Sequence, residues 1–156
     1  MNGDVSMPEG DINSVVDFIN RILDLSGLEL EAAVEPVGEA IKVQVRGEDR
    51  GLLLGHNAEL LDALEYLGNR AMSRSTGEET RVVFDSGSYR AQREKELRLM
   101  AEKAAEKVRA SRIPFTFDPM TPNERRIIHV TLADDATVKS ESQGNGENRK
   151  VTIYPA

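Results

Sequence analysis

TPNERRIIHVTLAD, residues 121–134, reads as a capped helix, and the rest of the chain is read outward from it. Thr121 can cap with its hydroxyl, Pro122 takes the first helical position where a missing N–H costs nothing, and Glu124 falls three residues after the cap to close a capping box. That fixes the register. At about 100° per residue, Arg125 and His129 share one face beside Ile128 and Leu132, while Arg126 and Val130 turn toward another side. The partial positive charge and free N–H groups of the helix N-terminus, close to Arg125, suit an anion such as a phosphate. A plainer reading stays open: Arg125 pairs with a nearby carboxylate, and His129 is a hydrogen-bonded histidine at the core edge.

Downstream, TVKSES and RKVTIY (137–142 and 149–154) make two strands joined by QGNGEN, a hairpin loop of turn formers. Val151 and Ile153 face inward, and Arg149 shares their face at its rim, within reach of Arg125 and His129 if the strand lies beside the helix. Upstream, Phe115 and Phe117 alternate around Thr116 as a strand, and Asp118 to Pro122 turns the chain. Tyr89 to Arg112 reads as one long helix burying Leu97, Met100, Ala101, Ala104 and Val108. Its remaining faces mix acidic and basic residues, the pattern of a solvated helix laced with weak pairs. Arg90 and Arg93, with Tyr89 for stacking, are the exceptions with a nucleic-acid role in prospect.

The first half has a different organisation. Residues 1–10 lack periodicity and read as a flexible tail. Asp11 caps a helix carrying Val15, Ile19, Ile22 and Leu23, which Ser26 and Gly27 end. EAAVEPVGEAIKVQVRG (31–47) reads as a β-hairpin in which Ile41, Val43 and Val45 alternate with Lys42, Gln44 and Arg46, one face buried and one wet. Pro36 and Gly38 mark its turn or a distorted edge near it. Next, a short apolar helix at Gly51 to Leu54 runs into a turn at Gly55. There Asn57 caps a helix with Leu60, Leu64, Leu67 and Ala71 on one face, stopped by Thr76 and Gly77. Arg81 to Asp85 makes a strand, and Ser86, Gly87 and Ser88 form a break where the charge balance also changes.

Composition bounds the function. With 39% hydrophobic and 30% charged residues in 156, the chain holds one soluble domain or two small ones. No cysteine means no disulfide framework and no thiolate metal site; two histidines, His56 and His129, are too few for a histidine zinc site. This fits a reducing cytoplasm. The longest apolar run is Leu52 to Leu54, so no membrane span is expected, and the acidic start MNGDVSMPEGD is unlike a signal peptide. Residues 1–85 carry 7 Lys/Arg against 17 Asp/Glu, a balance of −10, and residues 86–156 carry 13 against 10, a balance of +3. A phosphate-binding surface is therefore expected in the second half. No nucleophile motif, metal cluster or cofactor loop accompanies His129 with Asp134 or Asp135, so no enzyme, no metal and no cofactor is expected.

Two resemblances draw these observations together. The spacing Arg-x-x-x-His inside NERRIIH, followed by SESQG and NRKVTIYP, resembles the R-3-H domain, a small module that binds single-stranded nucleic acid. The order helix, strand, strand, helix, turn, helix, strand is similar to a type II KH domain, with GLLLGHNAELLDALEYL in place of that family's Gly-x-x-Gly region. Here Gly55, His56, Asn57 and Ala58 stand where the pattern ends in a second glycine. The Ala58 methyl could obstruct a nucleic-acid backbone, and neutral His56 supplies little charge; a turn serving only the core is the alternative. In this order the two segments resemble the Jag (KhpB, SpoIIIJ-associated) family of bacterial RNA-binding proteins. The resemblance implies an α+β chain of two small domains: a flexible tail at 1–10, a KH-like α/β sandwich at 11–85, and an R-3-H domain with a small sheet at 86–156. It further implies single-stranded RNA, or single-stranded DNA, as ligand, a small single-KH protein as partner, and a cytoplasmic post-transcriptional regulator linked to cell elongation or division. In the resembled domain Ser142, Gly144 and Arg149 belong to the surface of Arg125 and His129. The candidate nucleic-acid-binding residues are thus Arg125, His129, Arg149, Ser142, Gly144, Arg90, Arg93, Gly55, His56 and Asn57. A protein-interaction adaptor, its acidic first half binding a protein, is the other hypothesis. Oligomeric state stays open.

Overall fold

In the computed structural model, which describes residues 9–37, 40–76 and 80–156, the chain divides into two units, Met1–Tyr89 and Arg90–Ala156. Each has its own three-stranded sheet and its own apolar core. The tail expected over 1–10 lies outside the described residues up to residue 8.

The first unit runs α1 (Glu9–Leu25), β1 (Leu30–Val37), β2 (Ala40–Gly47), α2 (Arg50–Thr76) and β3 (Val82–Asp85), the element order the KH resemblance implies. α1 starts before Asp11, so Asp11 lies inside the first turn and does not cap it. Its other end closes as Gly27 suggests. Gly27 adopts φ +69°, its N–H donates to the Asp24 carbonyl, and the Leu28 N–H donates to the Leu23 carbonyl, the paired bonds of a Schellman cap. Val15, Ile19 and Leu23 are buried.

β1 and β2 pair antiparallel, with Ala32 opposite Val45 and Val34 opposite Val43, and β3 runs parallel along the other side of β2. Val43 and Val45 are fully buried as the alternation requires. The opposite face is drier than expected, for Gln44 is only 6% exposed. Its amide donates to Glu35 at 2.7 Å and its carbonyl accepts the Gly87 N–H at 2.9 Å, which satisfies a polar group that burial would otherwise penalise. Pro36 sits on edge strand β1, where a missing N–H is tolerated; Gly38 and Gly77 lie outside the described residues.

The buried side of α2 is Leu61, Leu64, Gly68 and Met72, and Leu67, expected inside, is 38% exposed. Gly68 explains the rotation. A Cβ there would come within 2.7 Å of the Phe84 ring, so the helix seats on that ring at a position without a side chain. Two side chains of α2 also guard the outer edge of β3. Asn69 exchanges two hydrogen bonds with the Val82 backbone, each 2.8 Å, and Glu65 accepts the Phe84 N–H at 3.0 Å; an edge so covered cannot template further strands.

The second unit contains α3 (Tyr89–Ser111, whose first residue packs in the first unit), β4 (Phe115–Thr116), α4 (Pro122–Leu132), β5 (Val138–Gln143) and β6 (Lys150–Pro155). Its sheet is antiparallel in the order β4-β6-β5. Leu97, Ala101, Ala104, Ala105 and Val108 of α3 pack with Ile128, Leu132, Val151 and Ile153. Met100, expected in that stripe, is 41% exposed, because it lies about 80° from the stripe's centre at roughly 100° per residue. Ala105 takes the place assigned to it.

Candidate nucleic-acid interface

The start of α4 has the anticipated cap. Thr121 Oγ1 accepts the Glu124 N–H at 3.3 Å and Glu124 Oε2 accepts the Thr121 N–H at 3.0 Å. Glu124 is 7% exposed, and its other oxygen accepts from Arg93 Nε at 2.9 Å. Two expectations change as a result. The helix N-terminus offers an anion less than expected: Pro122 has no N–H, the capping box takes those of Thr121 and Glu124, and a carboxylate already faces the dipole. Arg93, expected to reach nucleic acid, instead neutralises a buried carboxylate and also meets Glu96 at 3.4 Å.

Arg125 and His129 do share a face, and each has a definite partner. Arg125 donates one guanidinium N–H to the Met120 carbonyl at 2.7 Å. That partner is neutral, so the plainer reading of a carboxylate pair does not hold, and most of the five guanidinium donors stay available on a half-exposed side chain. The Met120 N–H in turn donates to the Arg149 carbonyl at 3.2 Å. One peptide segment thus joins Arg125 to Arg149, whose side chain is exposed. The link between the two residues runs through backbone that the sequence pattern did not implicate.

His129 is held on both sides. Nδ1 lies 2.7 Å from Ser140 Oγ and Nε2 lies 2.8 Å from Ser142 Oγ. Burial, and after it the positive charge of Arg125, lowers the imidazole below its ordinary value of 6.5, so the ring is neutral near pH 7. Ser142 was anticipated at this surface; Ser140 was missed. Its signal was present in Ser140-Glu141-Ser142, since residues two apart on a strand face the same side. Gly144 follows at the turn with φ +93°, and a Cβ there would stand 2.9 Å from the Asn148 carbonyl oxygen, so only glycine passes the chain into the 3-10 turn Gly146–Asn148 without a clash. Arg90 lies half-buried in the first turn of α3.

In the first unit the turn of α2 is unlike the expected one. Gly55 has φ −63° and ψ 161°, which any residue adopts, and a Cβ there would meet nothing. The reversal is made by His56, Asn57 and Ala58, three consecutive residues with φ of 49°, 60° and 58°. Asn57 is therefore not an extended N-cap. Ala58 is 2% exposed and belongs to the core, so its methyl points away from any ligand path instead of obstructing one, while His56 and Asn57 are exposed. Sequence reading also missed a cavity of about 490 Å³ along α2 and the start of β3, lined in part by Tyr66, Arg70, Ser73 and Arg81. It puts an aromatic ring, two guanidinium-bearing side chains and two carboxylates, Asp62 and Glu65, at one opening. Tyr89, expected to stack on bases, packs against the first unit's core.

Comparison with known proteins matches residues 95–155 to the R-3-H domain. The chain is 31% identical over 143 residues to RNA-binding protein KhpB of Clostridium symbiosum, covering 90% of this chain and 64% of that protein. It is 31% identical over 138 residues to RNA-binding protein KhpB of Bacillus subtilis, covering 87% of this chain and 66% of that protein. To KhpB of Lactiplantibacillus plantarum it is 26% identical over 142 residues, 91% of this chain and 44% of the other. It therefore spans just under two thirds of the first two relatives.

Proposed function

We propose that this chain is a member of the Jag (KhpB) family and a non-catalytic binder of single-stranded nucleic acid, RNA in the first instance. The observation that carries the reading is a half-exposed guanidinium, Arg125, spent on a neutral carbonyl and tied through Met120 to exposed Arg149. Arginines held in this way meet phosphate with bidentate, charge-assisted bonds at little ordering cost. The net positive balance of residues 86–156 favours the same partner. Gly144 shapes the turn that presents Arg149, and Arg90 lies in the first turn of α3. In the first unit, the exposed residues Gly55, His56 and Asn57 and the opening at Tyr66, Arg70 and Arg81 are the competing contact, which removal of that unit tests. An aromatic content of 4% leaves few stacking platforms, so affinity is modest and base preference weak.

A titration with labelled single-stranded RNA tests this. With roughly four phosphates neutralised, log K falls against log salt with a slope of about −3. An Arg125→Ala, Arg149→Ala variant that keeps the parent's affinity and slope would remove the assigned surface.

One observation favours a second reading for the first unit. Its balance of −10 repels phosphate, and Phe18 and Leu25 of α1 are exposed large apolar residues, as in an adaptor docking a protein such as a small single-KH chain. Partner recovery that survives nuclease and the double substitution supports it. A cytoplasmic role in post-transcriptional control, linked to cell elongation or division, extends the proposal as the resemblance implies.

A further inference from the structure

The histidine that helps to define the interface has no ring nitrogen left for a ligand. Nδ1 and Nε2 each lie within 2.8 Å of a serine hydroxyl, and a new bond from the ring would cost one of these. The hydroxyls are less committed. A serine has one donor and two acceptor sites, so after bonding the imidazole each keeps capacity for another partner. The two serines differ in place. Ser140 stands opposite Ile153 and Ser142 opposite Val151, which puts Ser142 two pairs nearer the turn where Gly144 and Arg149 lie.

We infer that the Ser142 hydroxyl, aimed by His129, is the polar contact to a ligand phosphate on the Arg125 surface, and that His129 is a positioning residue acting through it. The inference rests on the nucleic-acid reading above. When Nε2 carries the ring proton it donates to Ser142 Oγ, and the Ser142 O–H is then released toward the oxyanion. Ser140 accepts the remaining role, donating to the Nδ1 lone pair. An anion at Ser142 thus selects one of the two neutral tautomers, and ring, strand and ligand are coupled without the ring touching the ligand.

The two serines supply the discriminating experiment, because each makes one bond of similar length to the same ring. Labelled single-stranded RNA is titrated with the full chain and with Ser142→Ala, Ser140→Ala, Ser142→Thr and Arg125→Ala, and thermal stability is measured for each. A hydrogen bond to a charged group is worth about a tenfold change in affinity. Ser142→Ala is expected to bind about tenfold more weakly and Ser140→Ala, which loses one bond to the ring and none to the ligand, about threefold more weakly, at similar melting temperatures, with Ser142→Thr restoring binding. His129→Gln in the Ser142→Ala background then adds little, since a residue acting through another contributes nothing once that other is gone. Equal losses for the two serines, or full-strength binding by Ser142→Ala, would overturn the inference. If Arg125→Ala also binds like the parent, the failure belongs to the surface as a whole and not to the serine.

Discussion

At the scale of single residues, the interface depends on how a few charges are compensated. Arg125 has a carbonyl partner, so removing it leaves no buried carboxylate behind, and Arg125→Ala should weaken RNA binding about tenfold while shrinking the magnitude of the salt slope by about 0.7. Arg125→Lys should keep most of the slope and lose part of the affinity, since an ammonium cannot hold the Met120 carbonyl and a phosphate in one planar array. A salt series on the three proteins reads both effects, and a slope unchanged in the alanine variant would contradict the assignment. His129 gives a stability prediction with a definite sign. Burial first and Arg125 second lower its folded-state value below 6.5, so the unfolded chain takes up this proton more readily. Its contribution is therefore fully present above about pH 6.5 and declines as the pH falls below that, until the folded imidazole is protonated too. Melting curves at pH 7.5 and 5.5 should show a drop that His129→Gln removes. Should the variant keep the parent's drop, another group is responsible.

At the scale of elements, the buried glycine and the left-handed turn of α2 make opposite predictions. Gly68 has the Phe84 ring 2.7 Å from where a Cβ would stand, so Gly68→Ala overpacks the first core and should cost about 1–3 kcal/mol despite alanine's better helix propensity. Ala58 is a non-glycine residue at φ +58°, a strain of roughly 1–2 kcal/mol that glycine would relieve. Against this stand the loss of a buried methyl, about 0.8 kcal/mol, and glycine's backbone entropy, about 0.5–1 kcal/mol. Ala58→Gly should then change stability by less than about 1 kcal/mol, and denaturant midpoints of the two variants measure the contrast. The same elements show what a sequence discloses. The capping box of α4, the order of elements, the inward Val151 and Ile153 and the clustering of Arg125 with His129 all follow from local chemistry and periodicity, and were legible. The burial of Gln44, the rotation of α2 about Gly68 and the loss of Arg93 to Glu124 depend on partners 43, 16 and 31 residues away in the chain, which no window of sequence reveals. Ser140 belongs between these cases: its face could be read, but its partner across the helix could not.

At the scale of the whole molecule, the two units differ in charge and in the support for their roles. All the residues named for the Arg125 surface lie in Arg90–Ala156, which also carries the net positive charge, since residues 86–89 contain no ionisable Lys, Arg, Asp or Glu. That segment has its own buried cluster, drawing on α3, α4 and both long strands of its sheet, although a domain of this size buries only about 60% of its unfolded surface and is correspondingly marginal. Expressed alone with the whole of α3, it should unfold in one cooperative transition and bind single-stranded RNA with a salt slope close to that of the full chain. Its affinity should be equal or higher, because the −10 of the first half no longer repels the strand. Loss of most of the affinity on removing the first unit would mean that the strand also engages the turn at His56 and Asn57 or the opening beside Tyr66. In that case Arg70→Ala and Arg81→Ala in the full chain should each weaken binding, and the acidic unit would be a second nucleic-acid surface and not a platform for a protein.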